Sequence, residues 1–167
     1  MINKKLRSLE EVRADGNHGP LSNIVFTWLE IMERVVNRPK DKDHPATAED
    51  WAPLAALMDT AAFDRIGNYG EQTNWNEYVK LLVMWANYGW WKGRIWRIWE
   101  IPGFVFCETE ERSSKDGPVN ENGSYNALNS FCVYEFDEHS KVRHIYVYDQ
   151  RPLDGPPSGH LIHAKGG

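Results

Sequence analysis

Residues 90–112, WWKGRIWRIWEIPGFVFCETEER, decide the fold of this chain. Four of the eight Trp residues fall in the first ten of these positions. Large apolar and charged residues alternate from Arg94 to Glu100, Pro102-Gly103 interrupts, and alternation resumes from Phe104 to Arg112. Alternation with period two marks a strand with two unlike faces, and a tight Pro-Gly step between two such runs predicts a long hairpin. On its second strand Phe104, Phe106, Glu108, Glu110 and Arg112 share one face, and Val105, Cys107, Thr109 and Glu111 share the other. The first of these faces is aromatic at one end and ionic at the other. That suits a pocket holding an aromatic ligand with charged groups at its reacting end. The plainer reading is a Trp-rich sheet packed on helices with a solvated charged tip.

The segments on either side of the hairpin supply helices first and strands afterwards. Residues 1–20 are charged and end in Gly19-Pro20, an N-terminal arm or short helix followed by a break. From Leu21 to Val36 the apolar residues recur every three or four positions, which predicts an amphipathic helix ending before Pro39. Asp50 is a cap for a short second helix with Pro53 in its first turn. A brief strand is expected around Phe63–Gly67, running into a Gly/Asn turn. Asn74, with Glu77 at the reciprocal position, then caps a third helix that continues to Gly89. Beyond the hairpin, Tyr125 to Phe136 and Val142 to Asp149 alternate as two more strands around Asp137-Glu138-His139-Ser140. Residues 151–167, rich in Pro and Gly, read as an extended C-terminal tail. Helices followed by long antiparallel strands imply an α+β domain over residues 21–150, with the helices gathered on one face of a curved antiparallel sheet.

Composition narrows the function. A length of 167 residues suits one core, and a net charge of −5 without a basic stripe argues against nucleic acid as a partner. No run reaches the ~20 apolar residues of a membrane span, and residues 1–16 lack the apolar stretch of a signal peptide. No membrane partner is expected, and the cytoplasm is the expected compartment. Cys107 and Cys132 fall in strand-like runs and read as a buried reduced pair. Neither has a metal-ligand neighbour, and His160-x-x-His163 is a weak metal pair at most. Sequences of the form HExxH, GxGxxG, GxSxG and the P-loop are absent, so cofactor-free acid/base chemistry is what remains.

The order of elements, together with NWNEYVKLL at residues 74–82, VFCETEERS at 105–113 and YEFDEHSKVRHIYVYDQ at 134–150, resembles the nuclear transport factor 2-like superfamily. Within it, the chain is most similar to the SnoaL-like small-molecule enzymes. The resemblance implies a cone-shaped sheet closed by three helices, no metal or organic cofactor, and acid, base and oxyanion-binding side chains on the inward face. It also implies a homodimer or homotrimer, with a second subunit covering a convex face that would carry Val105, Cys107, Val133, Tyr146 and Tyr148. Glu111-Arg112 resembles the Glu-Arg step of epoxide hydrolases of this fold, with Arg112 inward. The two acids those enzymes add would fall at Ser114 and Val147, which counts against epoxide hydrolysis.

The candidate catalytic residues are Arg112, Glu110, His144, Arg65 and Asp149. An Arg beside a carboxylate keeps it ionised and can hold a substrate oxygen, and Arg65 on the short strand is a second oxyanion holder. On the last strand Ile145, Val147 and Asp149 share one face and His144 and Tyr146 the other; the resemblance puts the first set inward. A slip of one residue would bring in His144, the natural acid/base at neutral pH. Trp28, Trp85, Trp96, Phe104, Phe106, Tyr69 and Tyr125 are the candidate substrate-binding residues, with Trp75 also expected to face the cavity. The overall resemblance to small lyases of aromatic-degrading bacteria implies loss of water and formaldehyde from a lignin-derived diarylpropane diol, giving a stilbene. The alternatives are a SnoaL-like polyketide cyclase, isomerase or dehydratase, an epoxide hydrolase, and a non-catalytic small-molecule or protein-binding module.

Overall fold

The computed structural model describes residues 7–14, 16, 18–67, 70–115, 117–119 and 126–150. Helix α1 spans Leu9–Ala14 and α2 spans Pro20–Val36; a 3-10 turn at Ala48–Trp51 leads into the single turn of α3 at Ala52–Ala55. Strands β1 (Asp64–Ile66) and β2 (Gln72–Asn74) precede α4 (Trp75–Tyr88). Four longer strands follow: β3 Trp90–Ile101, β4 Phe104–Ser114, β5 Asn126–Phe136 and β6 Val142–Gln150. They form one curved six-stranded sheet in the order β2-β1-β6-β5-β4-β3. All neighbours are antiparallel except β1 and β6, which run parallel.

Local chemistry accounts for the boundaries. Gly103 turns the β3–β4 hairpin with φ of 80°, a conformation a side chain would strain. Asn74 Oδ1 accepts from the Glu77 N–H at 3.1 Å and Glu77 Oε2 accepts from the Asn74 N–H at 3.0 Å, the reciprocal cap expected from the sequence. The second helix starts differently. Its cap is Thr47 rather than Asp50, and Asp50 is the partner three residues on that accepts the Thr47 N–H at 2.8 Å. The turn expected after β1 is present, with the Gly70 N–H donating to the Gly67 carbonyl at 2.9 Å, and Gln72–Asn74 beyond it form β2, which pairs back onto β1.

The helices pack on one face of the sheet, and α2 is tied down at both ends. Its first amides and Ser22 Oγ donate to the Glu100 carboxylate of β3, at 2.8 Å from the Ser22 N–H and 2.7 Å from the hydroxyl. A carboxylate suits that place because the helix N-terminus carries unpaired N–H groups and partial positive charge. At the other end the Asn37 side chain bonds both the N–H and the C=O of Trp91, at 2.9 and 2.7 Å. The core beneath α2 and α4 includes Phe26, Trp51, Leu82, Ile95 and Tyr134, each at most 1% exposed.

The sheet face is where expectation and structure part. Val105 and Cys107 are fully buried and Thr109 is 2% exposed, whereas Phe104, Phe106, Glu108, Glu110 and Arg112 are only partly covered. The two sets of β4 side chains are grouped as the alternation required, but the set turned under the helices is the one holding Glu111. A shift of one residue reverses every side chain of a strand, and both sets here mix apolar with ionic groups, so pattern alone cannot choose between them. Val105 and Cys107 therefore leave the expected convex face; Val133, Tyr146 and Tyr148 lie on the outer side. On β3 the pairing shifts between Ile95 and Arg97, placing Trp96 at a bulge.

Candidate active site

Three strands place polar side chains in one patch on the inward face. Thr109, Ser130 and Asp149 stand opposite one another across β4, β5 and β6, and Glu111 lies two residues beyond Thr109 on the same face. Ser130 Oγ donates to Asp149 Oδ1 at 2.7 Å. The Trp91 indole N–H donates to Glu111 Oε2 at 3.0 Å. Arg65 enters the same space from β1, beside inward Ile145 of β6. Its guanidinium lies 3.4 Å from Glu71 and 5.8 Å from the centre of the Tyr78 ring.

Glu111, Asp149, Arg65 and Trp91 line a cavity of about 340 Å³ between the sheet and helices α2 and α4. That volume falls within the range of pockets that hold small organic ligands. Its walls are aromatic and apolar, with Trp28 and Met32 from α2, Leu82 and Trp85 from α4, and Tyr134 from β5. Trp28 and Tyr134 meet edge to face at 5.8 Å, and the Trp28 indole N–H is buried with no partner. An unpaired donor on a cavity wall can be satisfied by a ligand oxygen.

Burial sets the state of Glu111. Burial pushes the Glu111 carboxyl above its ordinary range, and the nearby negative charge of Asp149 adds to this; hydrogen bonds from Trp91 and Ser130, with the charge of Arg65, oppose it. A carboxyl so placed holds its proton to higher pH and can donate it; Asp149 Oδ1 accepts the Ser130 hydroxyl. Burial also pushes the Cys107 and Cys132 thiols up. Both cysteines are free, and as protonated thiols they are poor nucleophiles. Among the described residues no group of three His, Cys, Asp or Glu is placed to hold a metal ion.

Of the residues singled out from the sequence, Arg65, Asp149, Trp28 and Trp85 line this cavity. Arg112, Glu110, Trp96, Phe104 and Phe106 do not. Arg112 Nε and Glu110 Oε1 bond each other on the opposite face of β4, and Phe104 stacks beside Phe106 there. His144 also points away: its Nδ1 bonds Asp64 Oδ1, its ring meets Tyr146 at 4.0 Å, and Gln72 holds the other Asp64 oxygen at 2.7 Å. The last strand thus has Ile145, Val147 and Asp149 inward. Trp75 packs instead against Phe63 and Tyr78. Tyr69, Tyr125, His160, His163 and the 151–167 tail lie outside the described residues. Sequence reasoning met Glu111 only as the neighbour of Arg112, and passed over Ser130 and Trp91. One signal for them was available: with Val147 inward, antiparallel pairing carries the same face to Cys132 and Cys107, and so to Glu111.

No protein-family model matches the chain, and no curated protein sequence is significantly similar to it. Solved structures do match. A protein assigned as a SnoaL-like polyketide cyclase from Shewanella putrefaciens superposes with a TM-score of 0.63 at 8% identity, over 89% of this chain and 92% of that one. An LEH-like epoxide hydrolase of M. tuberculosis gives 0.57 at 14% identity, over 78% of this chain and 82% of its own. A protein from Anabaena variabilis described as NTF2-like gives 0.56 at 8%, over 81% and 95%. The fold is nuclear transport factor 2-like. At these identities the likeness establishes the fold alone. No helix among the described residues is long and apolar enough to cross a membrane.

Proposed function

We propose that this nuclear transport factor 2-like protein is a cofactor-independent lyase acting on a small aromatic compound. The reaction we favour removes water and formaldehyde from a diarylpropane diol to leave a stilbene. The observation that carries this reading is the pair of inward acids, Glu111 and Asp149, held in unlike environments at the floor of an aromatic cavity with Arg65 beside them.

Each group has a task. Arg65 holds a para-phenolate oxygen of the substrate, and the phenolate pushes electrons through its ring to expel the benzylic hydroxyl. Glu111 protonates that hydroxyl, which leaves as water, and the ring becomes a quinone methide shielded by Trp28 and Trp85. Asp149 then removes the terminal hydroxyl proton. The C–C bond to the hydroxymethyl carbon breaks, formaldehyde leaves, and the electron pair becomes the new double bond as the ring returns to phenolate. Each acid/base group typically contributes about 10²–10⁴-fold.

The corrected strand register favours one second reading. On β4 the inward positions are Glu111 and Ser113 rather than Ser114, and on β6 the expected inward face holds Asp149 two residues beyond Val147, so an acid does stand on that strand. Asp149 activating water while Glu111 protonates the ring oxygen would open an epoxide. Purified protein incubated without added cofactors separates the two readings. Formaldehyde and stilbene from a para-hydroxylated diarylpropane diol support the lyase; a diol formed from an aryl epoxide, with no formaldehyde from any diaryl diol, replaces it with the hydrolase.

A further inference from the structure

We infer that Glu71 is a specificity-determining residue of the cavity: paired with Arg65, it admits aromatic phenols to that end of the space and turns away aromatic carboxylates. The inference rests on the reading above only in placing a ligand oxygen at Arg65. It begins from the charges around that oxygen. Among the described residues that line the cavity, Arg65 is the one cation, and Glu71, Glu111 and Asp149 are the acids. Even with Glu111 protonated, two acids stand against one guanidinium. An uncompensated Arg in such a place would favour a carboxylate, whose two oxygens match its forked donors.

Glu71 compensates it. Arg65 Nη1 lies 3.4 Å from Glu71 Oε1, with the Arg65 side chain 19% exposed and that of Glu71 44% exposed. Gly67 makes room for the pair. A Cβ at that position would overlap the Glu71 carboxylate and stand 2.7 Å from Arg65 Nη1. Gly67 is not among the glycines of positive φ, so it is the absent side chain, rather than the backbone, that matters there. The Gly67 N–H donates to the Glu71 carbonyl and the Gly70 N–H to the Gly67 carbonyl, both at 2.9 Å. The turn itself therefore places Glu71 beside the guanidinium.

The pair presents a donor and an acceptor side by side. A phenol hydroxyl matches both, because its oxygen accepts from Arg65 while its hydrogen is donated to Glu71. A carboxylate has only acceptors, and meets Glu71 as a like charge. Phenols keep their proton up to about pH 10, whereas carboxyls lose theirs near about pH 4, so at neutral pH the two classes differ by a full charge.

The test uses two probes of one skeleton, para-hydroxystilbene and stilbene para-carboxylate, with dissociation constants measured by fluorescence at neutral pH. The wild-type protein is expected to bind the hydroxystilbene more tightly. In Glu71→Gln the carboxylate should gain about tenfold in affinity while the hydroxystilbene changes by no more than a few-fold. Gly67→Ala keeps every charge but displaces the Glu71 carboxylate, and should move the ratio of the two constants in the same direction. Added salt should narrow the wild-type preference, because Glu71 is open to solvent. An unchanged ratio in either variant overturns the inference, as does a wild-type preference for the carboxylate. Equal loss of both affinities in Glu71→Gln makes Glu71 a part of the fold only, and a wild-type protein that binds neither probe removes the site; each outcome also overturns it. Failure to release formaldehyde from a diarylpropane diol strikes the lyase reading instead and leaves the ratio standing, since no turnover enters it.

Discussion

The Trp91 indole N–H donates to Glu111 Oε2 at 3.0 Å, joining the start of β3 to an acid in the cavity floor on β4. Asn37, at the end of α2, fixes the Trp91 backbone from behind through two hydrogen bonds. The orientation of the acid is thus set by a helix, through a strand, in a part of the fold built mainly for packing.

Glu111 makes stability depend on pH with a definite sign. Burial raises its folded-state pKa above the ordinary 4.5 of the unfolded chain. Between those two values the folded state binds more protons than the unfolded state, so stability falls as pH rises through that window. Glu111→Gln removes this slope and leaves the protein more stable than wild type above it. Chemical denaturation measured across the pH range reads the effect; parallel curves for the two proteins would show that Glu111 ionises as freely folded as unfolded.

Trp91→Phe keeps a ring in the core and removes the donor. Loss of the hydrogen bond that favours the carboxylate raises the Glu111 pKa further. As the acid works only while protonated, activity declines as pH rises through this pKa, and the alkaline limb of the pH–rate profile should move to higher pH in the variant. A limb that stays in place, or moves down, would detach the acid role from Glu111.

The sequence disclosed the elements more fully than it disclosed the site. The hairpin, the Asn74–Glu77 cap and the last two strands are governed by local rules, and each is legible within a dozen residues. Which face of β4 turns inward depends on α2, more than fifty residues earlier in the chain, and the large Phe104 and Phe106 rings outweighed the smaller Val105 and Cys107 in the reading. Protein interiors close-pack small side chains as readily as large ones. The better guide was a lone acid, Glu111, in a set otherwise apolar or hydroxylic, because a buried charge is costly unless it is used or paired. Ser130 carried no signal of its own; only its register with Asp149 marks it.

The outer sheet face carries a continuous aromatic strip that calls for a cover. Trp99 pairs across strands with Phe106, Phe106 lies 6.3 Å from Phe131, and Phe131 pairs with Tyr148. Trp99, Phe131 and Tyr148 are 44%, 38% and 58% exposed. A patch of this kind on one chain commonly marks an interface, and a symmetric assembly needs about 800 Å² from each partner. A homodimer or homotrimer is the expected state, and Phe131→Glu with Tyr148→Glu should shift it toward one chain. Light scattering giving a mass near 19.3 kDa for the wild-type protein would refute this.

Arg65 and Arg112 set the two strand registers against each other in one experiment. Arg65 lines the cavity beside Glu111 and Asp149, whereas Arg112 bonds Glu110 on the far side of the sheet. Removing a cation that stabilises developing charge typically costs about 10²–10³-fold in turnover. Arg65→Ala should lose activity on that scale, with Arg65→Lys recovering only part because an ammonium lacks the forked donors of guanidinium. Arg112→Ala should keep kcat/KM within a few-fold of wild type. Its cost falls on stability: both side chains are largely covered, 16% and 17% exposed, so losing the guanidinium leaves Glu110 without that partner and costs about 1–3 kcal/mol. The opposite pattern, with Arg112→Ala inactive and Arg65→Ala unimpaired, would mean that the working protein turns the Arg112 face of β4 toward its substrate. The role given to Glu111 would then fall with that of Arg65.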